Sequence, residues 1–277
     1  MKEFDLVLSE YITQRINEIV DGHKYIFYTA LFGNVDKLNE PEYLSDTETL
    51  YICFTDRDDI KSNKWHIINV KSNEDDRISA KYWKFFGYKA LESHCNYSIW
   101  VDASILIKES PFKLIEDTFK KKLNTSILTF HHPQRDCAYD EMLWIFLMGK
   151  DSFRSLLKTW IFLKNNHFSC GNGLIAGTVL ARKSQSIEDS LLDILMKEWW
   201  YCVKNYSSRD QLTFNFLAEK RKFSDIHSYL NLTDNVYNCL YFKGTRVVRF
   251  NSKINPNSKV NIRHKVFHLI LSIRSYI

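Results

Sequence analysis

The stretch ISAKYWKFFGYKALESHCNYSIWV, residues 78–101, decides the fold. Over residues 78–93 the apolar side chains recur at a spacing close to 3.6, which predicts a helix. Residues 97–101 form a short apolar run that is typical of a buried strand. Because another strand is predicted at residues 65–70, the stretch completes a strand–helix–strand unit, which builds a parallel sheet.

The same alternation continues on both sides of this unit. Further strands are predicted at residues 25–30, 50–54, 126–130 and 174–181, and further helices at residues 8–20, 111–122, 138–148, 152–165 and 187–206. A chain that alternates in this way predicts an α/β fold. We expect a doubly wound, mostly parallel sheet with helices on both faces.

Composition places the chain among globular proteins with a single domain. It has 277 residues with 45% hydrophobic content, and no repeat or flexible linker divides it. We predict one domain over residues 1–243 and a basic tail over residues 244–277. Six cysteines without CxxC spacing and a charged first segment predict a cytoplasmic protein with reduced thiols. No run is apolar enough to predict a membrane span.

The net charge of +5 allows a phosphate-bearing substrate, a polyanionic partner or an anionic membrane surface. Nucleic acid is not expected, because acidic residues interleave with lysine and arginine and no nucleic-acid-binding motif is present. Residues 262–277 combine a helical apolar stripe with Arg263, Lys265 and Arg274. This pattern predicts a helix that lies on the inner face of a membrane, or a terminal helix docked on the domain.

Polar side chains follow several predicted strands, at the edge where open α/β sheets bind their ligands. Asp102 ends one buried strand, and the small residues Ala103 and Ser104 come next. A carboxylate in this position can reach a divalent cation or a ribose hydroxyl, or it can cap the following turn.

Two further segments gather charged groups. Asp210, at the start of a predicted helix, suits a general base, a group that anchors the acceptor or a helix cap, and Arg209 beside it can hold a phosphate. The pair His131-His132 suits a metal ligand, an acid/base group, a phosphate contact or ordinary loop residues. The charged residues that follow it are Arg135, Asp136, Asp140 and Glu141. Because these adjoin a strongly apolar helix, we expect His132, Arg135, Asp136 and Glu141 to line one cleft.

Taken together, these segments resemble a family of GT-A-like glycosyltransferases, first described as a domain of unknown function, from bacterial polysaccharide loci and plant cell-wall proteins. The resemblance covers about residues 24–220 and follows the family's order. The matching pieces are residues 28–36, 53–56, 81 with 84, 98–102, 132–141 and 207–214. The HPxRDCxYxE-like and SxRDQ-like pieces near the end of this series are the most specific.

The resemblance implies a nucleotide-sugar donor, with a UDP-sugar favoured, and a surface-polysaccharide or lipid-linked glycan acceptor. The residues expected to bind the donor are Thr29, Ala30, Phe32, Asp56, Lys81, Lys84, Asp102 and Ala103. The residues expected to be catalytic are Asp210, Arg209, His132 and Glu141, and those expected on the acceptor side are Arg135, Asp136 and Gln211. Asp210 is implied as the base if the reaction inverts the sugar, and as a positioning group if it retains the configuration.

Many GT-A enzymes hold Mn²⁺ or Mg²⁺ with a DxD motif, whereas Asp102-Ala103-Ser104 keeps only one carboxylate. A divalent cation at Asp102 is therefore an expectation that the sequence leaves open. The missing carboxylate also keeps an alternative open, a non-catalytic nucleotide- or glycan-binding protein on the same fold.

Overall fold

The computed structural model describes residues 10–20, 22–34, 37–42, 48–71, 74–107, 112–121, 123, 125–132, 134–184, 191–221, 227–230 and 240–242. The predicted tail and its membrane helix lie outside these residues, and both stay predictions. Val35, Asp36 and Pro133 of the family-like segments also lie outside the described residues.

Seven helices and nine strands lie in the described part of the chain. The helices are α1 (Glu10–Ile19), α2 (Asp76–Phe86), α3 (Phe112–Lys121), α4 (Ala138–Leu147), α5 (Phe153–Asn165), α6 (Leu191–Asn205) and α7 (Gln211–Lys220), with a 3₁₀ turn at Gly87–Ala90 after α2. The strands are β1 (Tyr25–Leu31), β2 (Thr49–Thr55), β3 (His66–Asn69), β4 (Tyr97–Val101), β5 (Ile105–Ile107), β6 (Ile127–His131), β7 (Ile175–Lys183), β8 (His227–Leu230) and β9 (Leu240–Phe242). None of these described helices has both the length and the apolar character needed to cross a membrane.

The main sheet has the strand order β3-β2-β1-β4-β7-β6-β8, and β5 pairs with β9 in a separate two-stranded sheet. In the main sheet β7 runs antiparallel to both of its neighbours, while the other strands share one direction. The chain moves outward from β1 to β2 and β3, and then returns to the other side of β1 to form β4. This reversal leaves a crevice outside the carboxyl ends of β1 and β4, where open α/β sheets bind ligands.

Each face of the main sheet has its own apolar core, because successive side chains of a strand point to opposite faces. Ile26 and Tyr28 of β1 pack on the side that holds α1, α2 and α4 to α7. Tyr25 and Phe27 pack on the other side, which holds Ile115 of α3 and the strand β5. The predicted α/β class, with a mostly parallel sheet and helices on both faces, is therefore confirmed.

The structure differs from the sequence-based elements in three places. Helix α2 ends at Phe86 rather than near residue 93, because the chain tightens into the 3₁₀ turn at Gly87. The sequence does not predict β5, β8 or β9, which are strands of only three or four residues. Nor does it show that β7 is antiparallel, because strand direction is a property of the tertiary structure.

Candidate active site

A group of charged side chains lies at the crevice between the ends of β1 and β4. Asp102 directly follows β4, and its backbone N–H donates to the carbonyl of Thr178 in β7 at 2.9 Å. Because β7 runs antiparallel to β4, Asp102 lies beside Thr178, which is inside β7 and not at its carboxyl end. The register between β6 and β7 shifts here, between Leu128 and Phe130. Such bulges bend a strand and redirect its groups, and they are frequent beside active sites.

The charged group consists of Lys81, Lys84, Asp102 and Asp210, which we call the floor cluster. Lys81 and Lys84 share one face of α2, because they lie three residues apart in the helix. The Nζ atom of Lys84 contacts Asp210 and lies 3.7 Å from Asp102 Oδ1, and Lys81 Nζ lies 2.8 Å from Asp210 Oδ2. The Lys84 and Asp210 side chains are 1% and 4% exposed, whereas Lys81 and Asp102 keep 18% and 32%. A buried ion pair thus supports one cation and one carboxylate that reach the surface.

Backbone groups hold the buried pair in place. Asp210 is the N-cap of α7, where its Oδ1 accepts from the N–H of Gln211 at 3.2 Å. Its carbonyl accepts from the indole N–H of Trp199 at 2.8 Å. Lys84 donates to the carbonyl of Gly177. A Cβ atom at Gly177 would lie 3.2 Å from Lys84 Nζ and 3.3 Å from Asp210 Oδ2, so the glycine leaves room for the pair.

The floor cluster changes the proton affinities of its members. Burial alone would raise the pKa of Asp210, but Lys81 and Lys84 hold that pKa well below the ordinary range of an aspartate. Burial alone would lower the pKa of Lys84, but Asp102 and Asp210 hold it above its ordinary value. For Lys81, burial dominates the attraction of Asp210 and lowers the pKa to about 8. Lys81 is therefore the member whose charge changes in a mildly alkaline range.

A fully buried arginine supports the helix that carries the two lysines. Arg182 of β7 donates to the hydroxyl of Tyr28 at 2.7 Å and to the backbone carbonyl of Lys84 at 3.0 Å. Its guanidinium also lies over the ring of Tyr88, 4.8 Å from the centroid. Among the described residues no carboxylate forms an ion pair with it. Arg182 thus fixes the backbone of α2 at Lys84 and adds positive charge beneath the crevice.

A second cluster, the histidine cluster, consists of His132, Arg135 and Glu141. Arg135 donates through Nε to Glu141 Oε2, and its guanidinium lies 5.1 Å from the ring centroid of Trp144. His132 Nε2 lies 3.8 Å from Glu141 Oε2. His132 Nδ1 accepts from the backbone N–H groups of Gln134 and Arg135, at 3.3 and 3.2 Å.

These contacts define the protonation of His132. Burial lowers the pKa of His132 below its ordinary value, although Glu141 opposes that shift. The ring is therefore neutral at pH 7, and because Nδ1 accepts hydrogen bonds, Nε2 carries the proton. The nitrogen of His132 that can donate a hydrogen bond is thus Nε2, which lies 3.8 Å from Glu141 Oε2.

Gln211 joins the two clusters. Its backbone N–H donates to Asp210 Oδ1 at 3.2 Å, and its side-chain Nε2 donates to Glu141 Oε1 at 3.2 Å. Arg209 lies just before it, where its guanidinium donates to the carbonyl of Lys150 at 2.8 Å. The first residue of α7 therefore connects the floor cluster with the start of α4.

A further polar group lies at the carboxyl ends of β1 and β2. Gly33, with a φ of +64°, donates its N–H to Asp56 Oδ1 at 3.2 Å. A Cβ atom at Gly33 would lie only 1.9 Å from Asp76 Oδ2 at the start of α2. The positive φ favours glycine at this position, and a larger residue would also displace the Asp76 side chain.

Three of the residues that were expected to bind the donor, in β1 and directly after it, are buried. Thr29, Ala30 and Phe32 are at most 6% exposed. Ala30 and Phe32 belong to the core on the side of the sheet that holds α2. Ala103 is half-buried, and its carbonyl accepts from the side chain of Asn39 at 2.9 Å.

The structure brings most of the sequence-predicted charged residues together. Asp102, Lys81, Lys84 and Asp210 form the floor cluster, and His132, Arg135 and Glu141 form the histidine cluster. Three predicted charged residues belong to neither cluster. Asp136 is exposed and makes no hydrogen bond or ion pair with the others in the described part of the chain, Asp56 accepts from Gly33, and Arg209 donates to Lys150. Three of the four residues that were predicted to line one cleft, His132, Arg135 and Glu141, thus contact one another.

The divalent cation expected at Asp102 fits these residues poorly. Oδ1 of Asp102 accepts from the Trp100 indole at 2.9 Å and has the Lys84 ammonium at 3.7 Å. The nearby carboxylate of Asp210 is buried between two lysines. A hard cation requires several free oxygen ligands, and a neighbouring ammonium repels it.

One other group of ligand-type residues occurs among the described residues. The atoms of Cys137, Asp140 and Cys170 that can hold a metal lie within 4.8 Å of one another. Two thiols suit a softer ion than Mn²⁺ or Mg²⁺. This group therefore does not provide the cation expected for a nucleotide sugar.

Sequence reasoning missed Arg182, Gly177 and Trp199. Each supports the floor cluster from a different element, and none stands next to a family-like segment in the sequence. Arg182 directly follows the apolar residues 179–181 of β7. This arginine in an otherwise apolar strand is the one local signal that could have indicated a buried charge.

The chain is similar to one protein family and to a solved structure. The TOD1/MUCI70, glycosyltransferase-like domain matches residues 10–240. A search of the curated proteins finds no match to the chain. Among solved structures, mouse xyloside xylosyltransferase 1 in its apo form is similar over 76% of this chain and 86% of its own, with 10% identity and a TM-score of 0.44.

Proposed function

We propose that the chain, which belongs to the TOD1/MUCI70, glycosyltransferase-like domain family, is a glycosyltransferase. In this proposal it transfers a sugar from a nucleotide sugar to a glycan. A UDP-sugar is the favoured donor, and a surface-polysaccharide or lipid-linked glycan is the favoured acceptor. The observation that carries the proposal is the floor cluster, which places two ammonium groups at the crevice where α/β sheets bind nucleotides.

The two lysines suit the diphosphate of the donor. When the glycosidic bond to the donor breaks, negative charge develops on the leaving diphosphate, and fixed cations stabilise that charge. Lys81 is partly exposed and can contact a phosphate directly, whereas Lys84 and Arg182 supply charge from beneath. We therefore assign the stabilisation of the leaving group to the lysines and derive no step through a metal ion.

Asp210 serves in this proposal as the group that positions the lysines. A carboxylate with a depressed pKa holds a proton weakly, so it is a poor general base. Its two lysine contacts, and its place as the N-cap of α7, instead fix the ammonium groups in space. Asp102, the more exposed carboxylate of the cluster, is the one available to a ribose hydroxyl.

The histidine cluster lies on the acceptor side of the proposed site. Its neutral imidazole and its guanidinium are both donors, and donors suit the hydroxyl oxygens of a sugar. Gln211 connects this cluster to Asp210, so the acceptor and donor halves share one hydrogen-bonded framework.

The experiment that tests this function is a thermal-shift screen of nucleotide sugars, followed by a transfer and hydrolysis assay with those that bind. A ligand at about 100 times its dissociation constant stabilises a protein by roughly 2.7 kcal/mol, so the screen identifies the donor class. We expect stabilisation by one nucleotide-sugar class and release of the free nucleoside diphosphate.

The assay also separates the alternative function from the proposed one. Binding of a nucleotide sugar without hydrolysis or transfer, across a panel of glycan acceptors, would favour the non-catalytic binding protein. No stabilisation by any nucleotide or nucleotide sugar would contradict both.

A further inference from the structure

The helix pair α4 and α5 exposes large apolar side chains to solvent. Nine large hydrophobic residues are exposed among the described residues, and more than half of them belong to this pair. They are Trp144, Phe153, Leu157, Trp160 and Ile161, with 40% to 56% of each exposed. We call them the helix-pair surface.

The apolar residues of α5 form one continuous face. Phe153, Leu157, Trp160 and Ile161 follow the spacing that puts side chains on one side of a helix. The opposite side, which includes Leu163, is buried in the core. The rings of Phe146 and Phe153 lie 5.7 Å apart, which joins α4 to α5. Helix α5 is therefore apolar on its inner side and also on much of its outer side.

The charge along α5 and the turn before it is one-sided, whereas α4 carries Asp140 and Glu141 in its first turn. Residues 142–165 contain four basic residues, Lys150, Arg154, Lys158 and Lys164, and a single acidic residue, Asp151. That carboxylate is occupied, since it accepts from the hydroxyl of Ser207 at 2.5 Å and from the N–H of Ser152 at 2.7 Å. In the described part of the chain, Arg154 and Lys158 are exposed and form no ion pair.

Helix α6 provides a comparison within the same molecule. It also exposes large apolar residues, among them Ile194 and Tyr201, but its charges are balanced. Lys197 lies 2.8 Å from Asp193, and Glu198 pairs with Arg221. Positive charge without acidic partners thus distinguishes α5 from an ordinary exposed helix.

We propose that the helix-pair surface lies on an anionic lipid surface. Tryptophan and phenylalanine favour the boundary between water and acyl chains, and unpaired basic residues attract anionic headgroups. With 13 residues, α5 is too short to cross a bilayer, so it lies in the plane of the interface. A protein partner would need acidic groups opposite Arg154 and Lys158, whereas an anionic bilayer presents them everywhere.

The geometry gives this contact a consequence for the site. The loop that carries His132 and Arg135 leads directly into α4, and Trp144 of the surface contacts Arg135. Lipid contact therefore holds the histidine cluster near the headgroups. The proposal stands apart from the catalytic assignment, because it rests on α5 and not on the floor cluster.

The test is co-sedimentation of the full chain with phosphatidylcholine vesicles that contain or lack phosphatidylglycerol, at low and high salt. The apolar variant is Leu157→Ser with Trp160→Ser, and the charge variant is Arg154→Glu with Lys158→Glu. The matched control is Ile194→Ser with Tyr201→Ser on α6. Since all of these side chains are exposed, circular dichroism melts should show that each variant stays folded.

We expect salt-sensitive binding of the unmodified chain to the anionic vesicles, a loss of about tenfold or more in both α5 variants, and wild-type binding by the α6 control. The proposal is overturned if the α5 variants bind as well as the unmodified chain, which would assign attachment to another segment such as the tail. It is equally overturned if no binding occurs at low salt, or if the α5 variants only abolish self-association measured by sedimentation.

Discussion

The floor cluster pairs a buried carboxylate with two lysines, whereas the histidine cluster pairs one with a single arginine and a neutral histidine, and the two clusters are built differently. Asp210 and the two lysines of the floor cluster stand on α7 and α2, regular elements packed on the sheet. In the histidine cluster, His132 and Arg135 stand on the loop between β6 and α4, and only Glu141 belongs to a helix. Rigid elements hold fixed charges in place, while loops carry the parts of a site that vary.

This difference matches the two halves of the proposed reaction. Every nucleotide-sugar donor carries the same diphosphate, which a buried and rigid set of cations can serve. Acceptors differ in shape, and a loop accommodates such differences more easily. The comparison therefore predicts that damage to the floor cluster affects folding and donor binding, and that damage to the histidine cluster affects mainly the acceptor.

The largest effect is expected for Lys84→Met. This change leaves Asp210 buried with one cation instead of two, and breaking a buried ion pair typically costs about 3–5 kcal/mol. Urea unfolding should show this loss in the free energy of unfolding. The control is Lys204→Met, because the Lys204–Glu74 pair is partly exposed and such pairs contribute about 0–1 kcal/mol. Equal losses in the two variants would contradict the special role of the buried pair.

The next effect is expected for Asp102→Asn, which keeps the shape of the side chain and removes its charge. A hydrogen bond to a charged group contributes about 1.5–3 kcal/mol, so donor affinity should fall roughly tenfold or more. Calorimetric titration measures the affinity. The control is Asp136→Asn, since Asp136 is exposed and makes no hydrogen bond or ion pair with either cluster in the described part of the chain. If the two variants bind the donor equally well, Asp102 is only a cap of the turn after β4.

Glu141→Gln should have a smaller effect and a different one. It removes the ion pair with Arg135 but keeps an amide that can still bond to Gln211, so we expect a stability loss of about 1–2 kcal/mol. Donor affinity should stay within about twofold of wild type, while transfer to the acceptor slows. A loss of donor affinity as large as that of Asp102→Asn would erase the distinction between the two clusters.

The smallest effect is a pH dependence of donor binding through Lys81. Its pKa of about 8 means that the ammonium is present below that pH and is lost as the pH rises through it. Donor affinity should therefore decrease above about pH 8, and protons should be taken up on binding near that pH. Lys81→Arg keeps its charge over this range and should remove the decrease. A flat wild-type profile would show that Lys81 does not contact the donor.

The lowered pKa of Lys81 has the opposite effect on the pH dependence of folding. Between about pH 8 and the ordinary lysine value, the unfolded chain binds more protons at Lys81 than the folded chain does. This residue therefore makes folding more favourable as the pH rises through that range. Weaker donor binding above about pH 8 is then not a sign of unfolding.

Much of the fold can be predicted from the sequence, because the apolar residues of its strands and helices recur with clear periods. Residues 97–101 are the strand β4 as predicted, and β1, β2 and β3 lie within one or two residues of their predicted ranges. The antiparallel direction of β7 and the short strand β5 escape this reasoning, since both depend on contacts between distant parts of the chain.

The site is predictable to a lesser degree. Strand ends indicate Asp102, and a family-like motif indicates Asp210, but nothing local shows that these two carboxylates share Lys84. Arg182 and Gly177 contribute from opposite ends of β7, a strand that pairs with β4 and runs against it. Sequence reasoning thus finds the residues at the ends of elements and misses the support beneath them.

The central claim, that the floor cluster binds the donor's diphosphate with lysine charge, is tested most directly by calorimetric titration of UDP in the presence of a chelator. The titration compares the wild type with Lys81→Met and with Lys89→Met, a lysine of the neighbouring 3₁₀ turn that pairs with Asp193 instead. The account predicts that the wild type and Lys89→Met bind UDP without a divalent cation and that Lys81→Met loses about tenfold or more in affinity. Binding of UDP by Lys81→Met as tight as that of the wild type would contradict it.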